Sequence, residues 1–216
     1  MPELVTIPIS FFEAVFEFEK TNVEIWDTRA LIAQAVLDAL QGWGANIDDF
    51  EPLTTGKISA QGLVVRLPLK HVVLFFGPAY CRFSRDHDWS LAKETFEIFN
   101  AAGAAYRKIS ASAFCRTRTS IGLHLQPMTV PFTSLLSPFV ADQMKSLEEA
   151  PLRTMAVVAK WENRKVTLDG SGSLANGLFV KLERDFEGTA TLEQVGEQLR
   201  SDEEQVFDML GVKEDA

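Results

Sequence analysis

Arg116, Arg118 and His124 occupy even positions in the stretch from Ile109 to Gln126, where polar and apolar residues alternate as in a long strand. Side chains two apart on a strand point the same way. These three therefore share a face with Ser110, Ser112, Phe114 and Ser120, while Ala111, Ala113, Cys115, Ile121, Leu123 and Leu125 share the other. Guanidinium forks suit carboxylate and phosphate, and imidazole titrates near neutral pH. The row has the chemistry to hold an anionic ligand, or to dock an acidic segment of a protein partner or of a second copy. Its plainer role is cross-strand pairing of Arg116 and Arg118 with acids such as Glu13 and Glu17, worth about 0–1 kcal/mol per pair.

Other chemistry-bearing residues assemble less readily. Asp86-His87-Asp88, near Cys81, has metal-ligand residue types, but adjacent residues on an extended segment point in alternate directions. Structural metal sites need three or four convergent ligands, so no metal is expected, and Asp88 reads as a helix cap. Cys115 and His124 lie in one strand, about 30 Å apart at nine residue steps, too far for a nucleophile–base pair. Cys81 with His124 has no support from spacing. Glu13, Glu17 and Glu19 read as a solvated strand face rather than an acid/base pair. The stretch from Gly170 to Gly177 is glycine-rich but leads into the strand-like Leu178-Phe179-Val180, whereas a phosphate-binding loop must open a helix. No G-x-x-x-x-G-K-[ST], H-E-x-x-H, G-x-S-x-G or C-x-x-C occurs. No catalytic residue and no cofactor is assigned.

The elements that must carry these residues follow from periodicity. Phe12, Ala14, Phe16 and Phe18 alternate with Glu13, Glu17 and Glu19, predicting a half-buried strand over Phe11 to Glu19. Ile32, Ala35, Val36, Ala39 and Leu40 form a helical stripe that Asp27 or Thr28 would cap and Gly42 and Gly44 would end. Lys57 to Phe83 reads as two or three strands, turned at Pro68 and Gly77-Pro78. A second helix carries Ala92, Phe96, Phe99 and Gly103 on one face. Between Phe132 and Leu147 helical spacing is interrupted by Pro138, predicting two pieces with Ser137 capping the second. Strands follow at Met155 to Trp161, Arg164 to Leu168 and Leu178 to Arg184. Thr191 and Gln194 then form a capping box for a last helix with Leu192, Val195, Leu199 and Val206 inside, closed by Met209 or Leu210. Grouped strands favour an α+β fold, an antiparallel-dominated sheet against several helices. One domain spans residues 1–216, with a subdomain boundary available near 127–151. A strand, a Trp and a helix recur at Phe16–Trp26–Leu40 and Phe83–Trp89–Phe99, a faint echo of two similar subdomains.

Charge is distributed unevenly. From Asp185 to Ala216 ten acids stand against Arg200 and Lys213, so this tail holds −8 of the net −9. From Ile98 to Ala141 there is no Asp or Glu, against Arg107, Lys108, Arg116 and Arg118. An acidic chain argues against a nucleic-acid partner, since that affinity rests on clustered Lys and Arg. The 16 Phe exclude a disordered solvating chain. The start lacks a basic, apolar leader and no run is long enough to span a membrane, so cytoplasmic residence is expected, with Cys81 and Cys115 as reduced core thiols.

The strand with Ile121-Gly122-Leu123, the Trp89 helix start, and a last strand followed by a long helix ending near Phe207 resemble an uncharacterised, sporadically distributed bacterial family. The resemblance spans about Pro8 to Leu210, although His124-Leu125 stand where that family usually has an Arg-Tyr pair after Gly-Leu. It implies no enzymatic activity and no catalytic residue. The expected function is a binding or interaction protein, non-catalytic and self-associating, using the acid-free strand and the acidic terminal helix. The alternative is a small-ligand-binding protein or enzyme with an anionic ligand on the Arg116, Arg118 and His124 face.

Overall fold

The computed structural model describes residues 2–23, 25–54, 61–86, 92–110, 114–139, 156–187 and 191–215. Within them lie ten strands and four helices of an α+β fold, divided into two compact units. The first comprises Phe12–Thr119 and Asp185–Gly196; the second comprises Met1–Phe11, Ser120–Arg184 and Glu197–Ala216. The division cuts through elements: the strands β1 (Glu3–Phe18), β6 (Phe114–Pro127) and β9 (Leu178–Glu187) and the last helix, α4 (Leu192–Leu210), each contribute to both units.

In the first unit, β1 alternates as its sequence demands: Phe12, Ala14, Phe16 and Phe18 are buried. Helix α1 (Ile25–Leu40) buries Ile25, Ile32, Val36 and Leu40 on one stripe. It already includes Asp27 and Thr28, so neither is its cap; Asp27 instead sits in the first turn, where a negative charge opposes the helix dipole favourably. A 3₁₀ turn and Gly44, at φ +85°, end it. A short strand that periodicity did not reveal, β2 (Phe50–Leu53), precedes a meander of β3 (Gly62–Leu67), β4 (Val72–Phe76) and β5 (Tyr80–Asp86), all paired antiparallel. Pro68 and Gly77-Pro78 make the two turns, as expected. Helix α2 (Ala92–Ile109) follows. His87 and Asp88, the proposed cap, and Trp89 lie outside the described residues.

Strand order here is β2-β3-β4-β5-β1-β6. Helix α2 lies on the Phe12 face, where rings meet in pairs: Phe12 with Phe99 at 5.7 Å, Phe83 with Phe99 at 5.5 Å, and Phe76 with Tyr106 at 5.4 Å. Such pairs add about 0.5–1.5 kcal/mol each to the burial of the rings themselves. Burial pushes the Tyr106 phenol up to about 12. Helix α1 packs beside α2 on the same side. The last helical bond of α2 runs from the Ser110 N–H to the Tyr106 carbonyl, so Ile109 belongs to the helix, and the long strand begins at Phe114. The apolar stripe Ile98, Phe99, Ala102, Ala105 and Tyr106 carries the helix past the point where alternation in sequence suggested a strand.

In the second unit, β6 is followed by α3 (Phe132–Leu136) and a 3₁₀ turn over Ser137–Phe139, in which Ser137 bonds back to the Ser134 carbonyl. The second helical piece expected after Pro138 lies outside the described residues from Val140 on. A second meander comprises β7 (Val157–Lys160), β8 (Arg164–Gly170) and β9 (Leu178–Glu187), again antiparallel, in the order β6-β9-β8-β7. Helix α4 (Leu192–Leu210), whose residues up to Gly196 belong to the first unit and the rest to the second, opens with the expected capping box, each of Thr191 and Gln194 accepting the other's N–H at 3.1–3.2 Å. Gly211, at φ +66°, turns the chain into β10 (Val212–Glu214), the one strand with parallel pairing among the registers described, beside the start of β1.

Strand, helix, three-stranded meander, long helix thus occurs twice: β1-α1-β3-β4-β5-α2 and β6-α3-β7-β8-β9-α4. Buried positions 95, 99, 102, 106 and 110 of α2 and its end recur one hundred residues on at 195, 199, 202, 206 and 210. The repeat is real in element order, but its phase differs from the Phe–Trp–helix echo, which matched β1-α1 to β5-α2 inside one half.

Candidate functional site

On β6, Thr117, Thr119, Ile121, Leu123 and Leu125 are buried, so Arg116, Arg118 and His124 point to the opposite side, as alternation requires. Alternation fails once. Phe114 turns inward against Phe16 and Phe18, with ring centroids 5.2 Å away in each case, and Arg116 turns outward. Cys115, at the break, is exposed, its Sγ 3.6 Å from the Glu17 carbonyl. It is not a core thiol. Cys81 is, and burial raises its pKa well above the usual thiol value.

In the first unit the two arginines converge on one carboxylate. Arg116 Nη2 lies 2.6 Å from Asp185 Oδ2, and Arg118 Nε lies 3.2 Å from Asp185 Oδ1. Arg118 also reaches Glu17 at 3.4 Å, and Arg82 of β5 holds Glu13 at 2.7 Å. Asp185 beside it raises the Arg116 pKa. The arginine side chains stay 42% and 49% exposed and Asp185 31%, so each pair contributes about 0–1 kcal/mol. The face opposite α1 and α2 therefore carries a ladder of Arg82, Glu13, Glu17, Arg118, Asp185 and Arg116, balanced in sign and partly exposed to solvent. The basic row lacks acids in its own stretch but finds them on β1 and β9. An incoming anion competes with Asp185 for the forks of Arg116 and Arg118.

His124 has different company. In the second unit its Nδ1 lies 2.8 Å from Ser171 Oγ, and its ring lies 4.8 Å from that of Phe179. Phe179 stacks in turn on Phe11, whose ring covers Gly122 so closely that a Cβ there would lie 1.9 Å from Phe11 Cε1. Burial lowers the His124 pKa. Ser171 Oγ accepts the N–H groups of Ser173 at 3.1 Å and Leu174 at 2.9 Å. Two acceptor lone pairs are thereby used and the hydroxyl proton is left for His124. This serine anchors a loop. Among the described residues no group of three or more His, Cys, Asp or Glu could hold a metal ion.

One carboxylate that looked like part of an acidic surface is not on the surface. Asp202 of α4 is 1% exposed. Its oxygens accept Arg184 Nε at 2.8 Å, Arg184 Nη2 at 2.7 Å and Arg164 Nη1 at 3.0 Å. Arg164 also donates to Gln205 at 3.0 Å and lies 4.3 Å above the Trp161 ring. Arg164 and Arg184 are cross-strand partners in the β8–β9 register, a like-charge contact that the shared carboxylate compensates. The signal was present in sequence: Arg184 continues the inward series Leu178, Val180, Leu182, and Asp202 falls on the stripe of Leu199 and Val206.

Compared with known proteins, the chain matches no family model and no curated protein. Among the described residues no helix is long and apolar enough to cross a membrane.

Proposed function

We propose that the protein is a non-catalytic, self-associating binding protein of the cytoplasm, akin to the bacterial family it resembles, and that the sheet face bearing Arg116 and Arg118 is its contact surface. What supports this is the balanced ladder. A chain of net charge −9 repels its own copies. On the face opposite α1 and α2, Arg82, Arg116 and Arg118 alternate with Glu13, Glu17 and Asp185, so two copies related by a two-fold axis can each offer acid to base. The half-exposed pairs inside one copy are weak enough to exchange for pairs between copies. The terminal helix takes part only through its outward acids, such as Glu197, Glu204 and Asp208, since its inner stripe is core. Truncating it would unfold the second unit and is not a clean test.

Size-exclusion chromatography with light scattering tests the reading across a wide concentration range. The wild-type chain is expected to dimerise, and R116E/R118E to remain monomeric. Mixing that variant with E17R/D185R should restore a dimer. A wild-type monomer at every concentration, or a dimer indifferent to both charge reversals, overturns it. A second reading draws on the same convergence of two half-exposed guanidiniums on one carboxylate: an anionic small ligand replaces Asp185 there. In that case citrate or phosphate raises the melting temperature of the wild type and not of R116E/R118E.

A further inference from the structure

We infer that the contact between His124 and Ser171 is a proton-operated latch on the 171–177 loop: neutral imidazole accepts the serine's proton and holds the loop, and imidazolium releases it. The argument is one of donors and acceptors. Ser171 Oγ already accepts the N–H groups of Ser173 and Leu174 and so offers its single proton to Nδ1, 2.8 Å away. Protonated imidazole carries N–H on both nitrogens. Its Nδ1–H then meets an oxygen whose lone pairs are taken, three donors face one hydroxyl, and one must leave.

The loop in question holds more than itself. The Ser171 N–H bonds the Gly177 carbonyl at 2.7 Å, closing it. Asn176, in the left-handed region at φ +59°, donates to the Val130 carbonyl at 3.3 Å and accepts the Phe132 N–H at 3.0 Å, at the start of α3. Releasing Ser171 therefore loosens the anchor of α3 as well.

Charged groups near the ring are otherwise engaged. Asp169, the cross-strand partner of Phe179, accepts the Gly170 N–H. Further along the outward row of β9, Lys181 pairs with Glu183, which also holds Lys165 of β8. On the strands of His124 and Phe11, Arg118 is paired with Glu17 and Asp185, and Glu13 with Arg82. None of them shifts His124; burial alone lowers its pKa below the ordinary 6.5. Folding thus favours the neutral ring, and the latch opens as pH falls below that value.

Amide exchange by NMR, corrected for intrinsic rates, tests the latch alongside the titration of the His124 ring. Protection of the Ser173 and Leu174 amides should fall roughly tenfold as the ring protonates, the loss expected when one turn hydrogen bond opens. His124→Asn supplies a side-chain oxygen that accepts the same proton and does not titrate, so its protection should be flat with pH. Ser171→Ala should lack the protection at every pH. The inference is overturned if the ring titrates while both amides keep their protection, if it does not titrate before the protein unfolds, or if His124→Asn shows the wild-type fall.

Discussion

Twice among the described residues a single aspartate sits between two arginines, and the two cases differ chiefly in their exposure to water. Asp202 is 1% exposed, gripped by Arg164 and Arg184 beneath α4. Asp185 is 31% exposed, touched by Arg116 and Arg118 on an open sheet face. In the first the carboxylate has lost its hydration and depends on the two arginines, themselves 22% and 14% exposed; in the second solvent can replace any partner. The same residue types therefore make a fixed internal joint in one place and an exchangeable surface in the other. Glu94 lies between these extremes: 28% exposed, it holds Lys70 and the 5%-exposed Arg85.

The largest effect is expected where water is most excluded. Asp202→Ala takes from Arg164 and Arg184 the buried carboxylate they share and should cost about 3–5 kcal/mol in urea unfolding. Combining Asp202→Leu with Arg164→Met and Arg184→Met should recover most of that loss, because an apolar replacement removes the two arginine charges as well. If the triple variant is no better than Asp202→Ala, the cluster does more than balance charge. Glu94→Gln should cost about 2 kcal/mol, since Arg85 keeps a neutral acceptor.

Glu94 also carries a pH signature. Hydrogen bonding from Lys70, with help from Arg85, lowers its pKa below the ordinary 4.5 against the opposing pull of burial. A depressed carboxylate contributes stability that is complete above its unfolded value and is lost as pH falls through the folded one. Wild-type stability should fall below about pH 4.5 more steeply than that of Glu94→Gln, as measured by acid-dependent denaturant midpoints. The smallest effect belongs to Asp185→Asn: less than about 1 kcal/mol in stability. A loss as large as that for Asp202 would make the outward ladder a structural joint and erase the contrast.

Much of the architecture could be read from local pattern. Phe12 to Phe18, the α1 stripe, both meander turns and the Thr191–Gln194 box each repeat within a few residues, and each is found as read. What escaped depends on distant parts of the chain. The short strands β2 and β10 exist because β3 and the start of β1 pair with them, not because their three or four residues declare it. Cys115 looked buried because regular alternation put it with Ile121; a single break at Phe114 exposes it. Arg116 and Arg118 were visible as candidates, but their partner Asp185 lies 67 or more residues away. Asp202 adds to the acidic total of the tail yet lies inside, because charge totals ignore which side of a helix a residue faces.

Strand β2, last in its row, carries Pro52 opposite Leu63. A proline ring has no N–H to give, and such residues are accepted in outermost strands when the missing donor faces solvent. Another polypeptide trying to zip on there would find its ladder interrupted within one residue of Glu51, a charge at the same margin. Fibril-type stacking through this border is thus discouraged.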